Sequence, residues 1–228
     1  MKKEMETQKI IITGGATRIG AAIAEDLAND KNQITIHYNK SKKKAEKLKN
    51  ILERKGSKIF LIKADLNKIS ELNKIINFAN EKMKGLNCLI NNASLFENDS
   101  IKNFSIEKWN KHLNINLRAP VILIKQFSKL VPKNIKANII NMIDQRVFKL
   151  TPFFLSYTLS KTGLYTLTKT SAMNLAPNIR VNGIAPGPTI KNKRQSMKHF
   201  KKQCLSTLLK KSVNTKEICS AIKFLIIN

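Results

Sequence analysis

Cysteine is scarce in this chain, with only Cys88, Cys204 and Cys219 among 228 residues. Their wide separation excludes the close spacing of a zinc site and the dense, even pattern of a disulfide scaffold. The three histidines are equally scattered, so we interpret each as a surface or hydrogen-bonded side chain and predict no metal site. Unpaired cysteines are typical of a reducing compartment, and a cytoplasmic location is therefore predicted.

Long apolar runs are also missing. No segment approaches the ~20 apolar residues that a bilayer-spanning helix requires. The first nine residues, MKKEMETQK, carry charges without an apolar stretch behind them, which is unlike a secretory signal. The sequence therefore predicts no membrane partner.

Acidic residues are few: 15 Asp and Glu stand against 42 Lys and Arg, which gives a net charge of +27. Such a charge alone suggests a polyanionic partner. The lysines, however, are spread through almost every predicted helix, whereas nucleic-acid surfaces concentrate charge on one element with aromatic side chains between. We expect weak non-specific adhesion at low salt but no specific nucleic-acid partner.

Short apolar runs alternate with longer amphipathic stretches along the whole chain. The β-type runs lie at residues 9–13, 34–38, 58–64, 87–93, 137–143 and 179–185. Two of the amphipathic stretches have apolar residues at helical spacing, so that each set shares one face of its helix. The first set is Ala45, Leu48, Ile51 and Leu52, and the second is Ile69, Leu72, Ile75, Ile76 and Ala79. The pattern predicts an α/β fold, a single doubly wound Rossmann-type parallel sheet with helices on both faces, in one domain spanning residues 1–228. Residues 186–215 are predicted to be irregular.

A glycine-rich loop, TGGATRIG at residues 13–20, follows the first run. Gly14 and Gly15 permit a tight turn, Gly20 allows close helix packing, and the helix beginning near Ile19 points free N–H groups at an anion. A glycine loop between a buried strand and a helix predicts dinucleotide binding rather than a purely structural turn. Arg18 adds a planar cation suited to phosphate; the alternative is an ordinary exposed arginine.

The residues at the end of the second β-type run indicate whether the site binds NAD or NADP(H). An NAD site carries an acidic residue ~20 positions beyond the loop, but no Asp or Glu occurs between Lys31 and Ala45. The stretch HYNKSKKK would instead attract a 2′-phosphate. The sequence thus predicts NADP(H), NADPH in its reduced form and NADP+ in its oxidised form, with contacts from Asn39, Lys40 and Ser41. The alternative is a lysine-rich, solvated helix start.

Downstream, YTLSK places Tyr157 and Lys161 one helical turn apart on the same face. An ammonium close to a phenol lowers the pKa of the tyrosine, which makes it a usable proton donor and acceptor near neutral pH.

With these motifs the sequence resembles the short-chain dehydrogenase/reductase family from Lys9 to Asn228, through TGGATRIG, ADL (64–66), NNAS (91–94), NIN (114–116), YTLSK (157–161) and RVNGIAPGP (180–188). The resemblance implies that Tyr157 is the catalytic acid/base, that Lys161 lowers its pKa and binds the nicotinamide ribose, and that Asn116 holds a proton-relay water. The cofactor-binding residues it implies, together with those predicted above, are Gly14, Arg18, Ile19, Gly20, Tyr38, Asn39, Lys40, Ser41, Asp65, Leu66, Asn91, Ala93, Ser94, Tyr157, Lys161, Pro186, Gly187 and Thr189.

Two departures from the common family pattern are informative. Arg18 replaces a glycine, and Asp144 in NMIDQR replaces the catalytic serine. Both resemble the pteridine reductase branch, which includes dihydromonapterin and dihydrofolate reductases. This resemblance implies that Phe96 stacks on a pterin, that Ser94 touches the cofactor and that Arg18 bridges cofactor phosphate and pterin. The predicted substrate-binding set is Arg18, Phe96, Asp144 and Tyr157.

Pterin chemistry gives the aspartate a reason. Reduction of a pterin C=N bond requires a proton at ring nitrogen as hydride reaches carbon, and a carboxylic acid can supply or relay that proton. We hypothesise that Asp144 and Tyr157 share proton delivery while NADPH provides hydride. The alternatives are that Asp144 caps a turn or pairs with Arg146, and that Phe96 is ordinary core.

Three functions therefore stay open. The first is an NADPH-dependent oxidoreductase that acts on a pterin or folate. The second is a carbonyl reductase such as a 3-oxoacyl-thioester reductase, which would share Tyr157 and Lys161. The third is a non-enzymatic basic binding protein, against which the intact Asn116, Tyr157 and Lys161 argue.

The family usually continues past the last helix into a final strand that contributes to tetramer contacts, whereas this sequence ends at Asn228. Either the sequence is a fragment or the protein tolerates an exposed sheet edge. The resemblance implies a homo-oligomer, a tetramer or a dimer, and the sequence predicts a sheet without that final strand.

Overall fold

The computed structural model describes residues 7–192 and 195–228. Six strands form one sheet: β1 (Lys9–Ile12), β2 (Gln33–Tyr38), β3 (Lys58–Lys63), β4 (Cys88–Asn91), β5 (Ala137–Met142) and β6 (Ile179–Ile184). All pairings are parallel and the order is β3-β2-β1-β4-β5-β6. The predicted doubly wound parallel sheet is confirmed; five of the six predicted runs contain a whole strand, and the run at 34–38 covers all of β2 except Gln33.

Helices connect the strands. Those in the described residues are α1 (Arg18–Leu27), α2 (Lys42–Glu53), α3 (Ile69–Met83), α4 (Ile106–Leu113), α5 (Ala119–Leu130), α6 (Leu155–Leu175), α7 (Met197–Leu205) and α8 (Thr215–Ile227). A π-helical turn, Asn114–Arg118, joins α4 to α5, and a 3-10 turn, Gln145–Val147, follows β5.

Side-chain alternation along the strands divides the core into two layers. Ile10 and Ile12 of β1 pack on one face of the sheet against α1, α2 and α8. Ile11 points to the opposite face, where α3, α5 and part of α6 cover it. Because successive strand residues point to opposite faces and both faces are covered, the inner strands are mostly apolar along their whole length.

The two predicted apolar faces lie on helices α2 and α3, and one residue of each lies outside the core. Ile51 is 39% exposed, since Ala45, Leu48 and Leu52 already define the buried stripe of α2 and Ile51 lies beside it. Ile69 is 54% exposed because it is the first residue of α3 and precedes the turn that packs on the sheet.

The segment predicted to be irregular, residues 186–215, contains helix α7, which starts after Ser196. The side chain of Ser196 accepts a hydrogen bond from the backbone N–H of His199 and so caps this helix. Within the described ranges no helix is long and apolar enough to cross a membrane. The three cysteines are buried and free.

The strand order reverses between β1 and β4, the two central strands. At such a switch point the connections leave toward opposite faces of the sheet, and a crevice opens beyond the carboxyl ends of the strands. The fold therefore places the loops after β1 and β4 at the centre of any binding site.

Core packing makes a direct prediction about stability. Phe127 on α5 is fully buried, whereas Phe224 on α8 is 64% exposed. Truncation of Phe127 to alanine leaves a cavity and should lower the free energy of unfolding by about 3–5 kcal/mol. Urea denaturation measures this loss. Phe224→Ala is the matched control and should change the free energy by about 0.5 kcal/mol or less; equal losses in the two variants would contradict the packing described here.

Candidate active site

One large cleft lies at the carboxyl ends of the strands. It has a volume of about 770 Å³ and takes lining residues from the segment after each of the six strands. Most of the residues predicted to bind cofactor or substrate line it: Gly14, Arg18, Ile19, Gly20, Asn39, Ser41, Asp65, Leu66, Ala93, Ser94, Phe96, Asp144, Tyr157, Lys161, Pro186, Gly187 and Thr189. The topology thus brings together residues from nearly the whole length of the chain.

Four predicted residues lie off the cleft wall: Tyr38, Lys40, Asn91 and Asn116. Tyr38 packs against the core layer of α1 and α2, and Lys40 is exposed between two residues that do line the cleft. Asn91 is buried in β4 and donates a hydrogen bond to the side-chain oxygen of Asn141 on β5 (2.8 Å). Its neighbour Asn92 lines the cleft instead.

The glycine loop needs its glycines for close approach. Gly14 has φ 61°, the left-handed region that glycine adopts without cost, and a Cβ there would lie 3.0 Å from the Cα of Ala93. A Cβ on Gly20 would overlap the carbonyl oxygen of Gly14 and the side chain of Asn92. The loop therefore packs directly on the segment that follows β4, and the backbone N–H groups at the start of α1 remain accessible from the cleft.

His37, at the end of β2, supports this loop and was missed by the sequence analysis. Its Nδ1 accepts a hydrogen bond from the N–H of Gly14 (3.1 Å), and its Nε2 lies 3.0 Å from the carbonyl oxygen of Ala64. Burial lowers the pKa of His37, against the opposing effects of the Ala64 carbonyl and Asp65. A neutral ring fits both contacts, because an N–H donor requires an unprotonated Nδ1 and a carbonyl requires Nε2–H.

Arg18 is the first residue of α1 and has φ 56°, which is uncommon for a residue with a side chain. This conformation explains why the common pattern has glycine here. The guanidinium donates to the carbonyl oxygens of Ile190 (2.9 Å) and Lys191 (3.1 Å), in the loop after β6. The side chain is exposed, as the simpler interpretation held, but it joins the glycine loop to the opposite wall of the cleft.

Asp144 and Tyr157 form a direct pair. The Tyr157 hydroxyl donates to Oδ2 of Asp144 at 2.6 Å, and the backbone N–H of Arg146 donates to Oδ1 at 2.8 Å. The carboxylate therefore caps the 3-10 turn after β5 and binds the phenol at the same time. The two interpretations of Asp144 given above are compatible, since each carboxylate oxygen makes one of the contacts.

The groups around Tyr157 raise its pKa in this structure, and the lowering by Lys161 that the resemblance implies stays a prediction. Burial, followed by the negative charge of Asp144 and the hydrogen bond to it, raises the pKa of Tyr157 well above its ordinary value. Lys161 Nζ donates instead to the carbonyl oxygen of Met142 (2.7 Å) and lies 5.9 Å from the centre of the Tyr157 ring. Burial lowers the pKa of Lys161 itself to about 8.

Asn116 is fully buried in the π-helical turn between α4 and α5. Its side chain accepts from the N–H of Leu95 (2.8 Å) and donates to the carbonyl oxygen of Leu95 (2.9 Å) and to Ser160 Oγ (3.0 Å). Isolated π-turns often mark functional sites. In this one, Asn116 ties the loop after β4 to helix α6.

Phe96 forms part of an aromatic wall and is not ordinary core. It is half-buried, lines the cleft and stacks on Phe154 with ring centres 4.5 Å apart and planes within 3°. The Tyr157 ring is nearly perpendicular to that of Phe96, with ring centres 4.6 Å apart, and the Arg146 guanidinium lies 4.3 Å from the centre of the Phe154 ring. Phe154 and Arg146 were missed as contributors, since only the fold brings them next to Phe96. Among the described residues no cluster of His, Cys, Asp and Glu could hold a metal ion.

Comparison with known proteins agrees with this geometry. The family model for short chain dehydrogenase matches residues 8–202. The structure of FolM alternative dihydrofolate reductase 1 from Brucella canis, complexed with NADP, is 37% identical and superposes with a TM-score of 0.92, covering 98% of this chain and 88% of that chain. The protein of the same name from Brucella suis, in complex with NADP, is also 37% identical, with a TM-score of 0.90 over 94% of this chain and 86% of that one.

A curated relative supports the same family. The 3-oxoacyl-[acyl-carrier-protein] reductase FabG of Buchnera aphidicola is 30% identical over 226 residues, 97% of this chain and 91% of that protein. The matched family model covers most of the chain, and the cleft lies where the switch point of the sheet requires it. This chain belongs to the short-chain dehydrogenase family of oxidoreductases.

Proposed function

We propose that this oxidoreductase is an NADPH-dependent reductase that transfers hydride to a pterin-type substrate and converts a dihydropterin or dihydrofolate to its tetrahydro form. The observation that carries the proposal is the 2.6 Å hydrogen bond from Tyr157 to Asp144 beside the Phe96 ring. The 37% identity to two FolM structures supports it.

The cleft fits a phosphorylated dinucleotide. Close packing of Gly14 and Gly20 leaves room at the start of α1, and within the described residues Thr17 makes no side-chain cap that would occupy the first N–H groups. At the end of β2 the wall is formed by Asn39, Ser41 and Lys44, without a carboxylate that would repel a 2′-phosphate. Both FolM structures contain NADP. Bound NADPH would supply the hydride.

The protein residues in this proposal control the proton. Because the pKa of Tyr157 is raised, the phenol is protonated at neutral pH and is a donor rather than a base. Asp144 accepts the phenolic hydrogen bond and shares that proton at Oδ2. A protonated donor suits reduction, in which the substrate gains a proton; oxidation would need the phenolate. Lys161, with a pKa of about 8, places a positive charge at the cleft wall.

Phe96 offers a flat surface for an aromatic substrate. Its stacking on Phe154, with the Arg146 guanidinium within 6 Å of the centres of both rings, fixes the plane of the Phe96 ring. We infer that a pterin ring stacks against this wall, with Arg18 and Asp144 as polar contacts. Asn116 holds the wall in place through Leu95.

A second candidate function is reduction of a 3-oxoacyl thioester. The 30% identity to a FabG protein over 226 residues favours it. That reaction needs Tyr157 and Lys161 but gives Asp144 no role, since a neutral hydroxyl suffices to polarise a ketone. We therefore place it second.

We further propose a cytoplasmic setting and a homo-oligomer. The three free, buried cysteines support the former. Exposed apolar side chains on α5 and α6 support the latter: Val121 is 40% exposed, Leu159 44% and Met173 82%.

The first prediction concerns the substrate. NADPH absorbance should fall when the purified protein meets 7,8-dihydropterins or dihydrofolate, and NADH should be a poorer donor. A 3-oxoacyl thioester and a simple ketone are the comparison substrates. Turnover of the thioester without turnover of any pterin would replace the proposed function by the second candidate.

The proton donors give the second prediction. Tyr157→Phe removes the phenolic proton and should lower kcat by about 10²- to 10⁴-fold, because general acid catalysis contributes that much. Asp144→Ser should lower kcat for a dihydropterin strongly while NADPH binding, followed by cofactor fluorescence, is retained. An unchanged kcat for a dihydropterin in Asp144→Ser would contradict the hypothesis that Asp144 and Tyr157 share proton delivery.

The third prediction concerns the dinucleotide. Lys44→Glu places a negative charge in the cleft wall and should raise the KM for NADPH about tenfold, with little effect on the KM for NADH, since one charge contact in solvent is worth ~1 kcal/mol. Lys43→Glu makes the same change of charge on an exposed neighbour that does not line the cleft. Equal effects of the two substitutions would exclude a local contact of Lys44 with the 2′-phosphate.

A further inference from the structure

Helix α6, which carries Tyr157 and Lys161, begins without a capping side chain of its own. The residue before it is Phe154, which has φ 61° and ψ 42° and makes no side-chain cap. Free N–H groups at a buried helix start must find other acceptors. The structure therefore has to supply a cap from elsewhere in the chain.

Asp99, in the loop after β4, supplies it. Its backbone carbonyl oxygen accepts from the N–H of Phe154 (2.7 Å) and of Leu155 (3.4 Å), and its carboxylate Oδ1 accepts from the N–H of Ser156 (3.2 Å). Asp99 is only 1% exposed. A carboxylate at a helix N-terminus is stabilised by the free N–H groups and the helix dipole. One residue of a distant loop thus takes the place of the missing N-cap.

The second carboxylate oxygen extends the contact. Oδ2 of Asp99 accepts a short hydrogen bond from Ser156 Oγ, and Ser156 Oγ lies 2.6 Å from Nδ1 of His112 on α4. Nε2 of His112 accepts from the backbone N–H of Glu97 (3.1 Å). A backbone N–H is only a donor, so Nε2 is unprotonated and Nδ1–H donates to the serine. The hydrogen bonds thus run from Asp99 through Ser156 and His112 to Glu97, so both ends of the series lie in the loop after β4.

This cluster, made of Glu97 N–H, Asp99, His112 and Ser156, is buried: His112 and Ser156 are 0% exposed. Its ends adjoin the two rings that face the substrate in the proposed function. Phe96 directly precedes Glu97, and Tyr157 directly follows Ser156. The cluster also holds Phe154, on which Phe96 stacks, in a left-handed conformation that a bulky residue keeps only when several contacts impose it.

We propose that Asp99 is a positioning residue for the reaction: by capping α6 and anchoring Ser156 and His112, it sets the Tyr157 hydroxyl and the Phe96 ring at their working separation. The inference rests on the proposed roles of Tyr157 and Phe96. Asp99 itself does not line the cleft. It therefore acts through other residues and makes no contact with substrate.

The charge state of His112 agrees with this arrangement. Burial lowers the pKa of His112 below its ordinary 6.5; the negative charges of Asp99 and Glu97 and a hydrogen bond with the Lys108 backbone oppose that shift, and the positive charge of Lys108 adds to it. The Tyr157 ring meets it edge-on from α6. The unfolded chain, with the higher His112 pKa, takes up a proton first as the pH falls. The contribution of neutral His112 to the free energy of unfolding is therefore complete above about pH 6.5 and is lost as the pH falls toward the lower pKa of the folded state.

Asp99→Asn is the sharpest test. An asparagine can still accept from the N–H of Ser156, but it removes the negative charge at the helix start, and its NH₂ group cannot accept the Ser156 hydroxyl. The cap is therefore weakened and the hydrogen bond from Ser156 Oγ to Asp99 is lost. We expect kcat to fall about 10- to 100-fold with the Kd for NADPH unchanged. Amide hydrogen exchange at residues 155–157 should become at least about tenfold faster while exchange in the central strands stays as in the wild type.

Asn214→Ala is the matched control. Asn214 caps α8 through a capping box and stands outside the cleft. Its loss should lower stability without altering kcat or the exchange of residues 155–157. A kcat loss in Asp99→Asn no larger than that of Asn214→Ala, or unchanged exchange at 155–157, would overturn the positioning role. If Asp99→Asn fails to fold, Ser156→Ala removes only the hydroxyl link, and the same two readouts should move in the same direction.

The wild-type enzyme separates the two proposals. If it reduces a 3-oxoacyl thioester and no pterin, the proposed function fails, and the kcat comparison is made on the thioester. If the wild-type protein reduces neither substrate, the amide exchange and the NADPH affinity of Asp99→Asn test the role of Asp99. Faster exchange confined to residues 155–157, with NADPH affinity retained, supports the role of Asp99 in each case, and unchanged exchange refutes it.

Discussion

The hydroxyl of Thr13 joins the two loops on which the whole cleft depends. Its oxygen accepts hydrogen bonds from the N–H groups of Asn92 and Ala93, each at 3.0 Å, and the Asn92 side chain returns a bond to the carbonyl oxygen of Thr13 at 2.9 Å. This exchange fastens the end of β1 to the end of β4, where the strand order reverses. The glycine loop and the segment that leads to Phe96 are therefore held directly against each other at the centre of the cleft.

The protonation states of Tyr157 and Lys161 depend on their hydrogen-bond partners and on their burial. Lys161 donates to the Met142 carbonyl and Tyr157 donates to Asp144, so the lysine charge and the phenolic proton have separate partners. Burial raises the pKa of Tyr157 and lowers that of Lys161. Both shifts disfavour the charged forms, so the phenol of Tyr157 is neutral near pH 7. The geometry therefore favours a reductase over an enzyme that removes a proton from an alcohol.

Local sequence patterns were sufficient where the structure is set by neighbours along the chain. Apolar runs located all six strands, and the glycine loop, Asp144 and Tyr157 were found on the cleft wall. Local patterns were not sufficient where the pKa or the position of a side chain depends on a residue far away in the sequence. The pKa of Tyr157 is raised by burial and by Asp144, 13 positions away in the sequence, and Asn91 lies off the cleft wall with its hydrogen-bond partner on β5. The support that His37 gives to Gly14 joins residues 23 positions apart, beyond any periodicity.

Two non-glycine residues at the cleft, Arg18 and Phe154, hold left-handed backbone conformations. Local preference opposes both, at a cost of ~1–3 kcal/mol each. Each is held by hydrogen bonds to a distant segment: Arg18 by the carbonyls of Ile190 and Lys191, Phe154 by the carbonyl of Asp99. Because these bonds exist only in the folded chain, the strain and its compensation form together. The arginine in a glycine position is thus explained by tertiary contacts, which is why a local rule of glycine loops could not account for it.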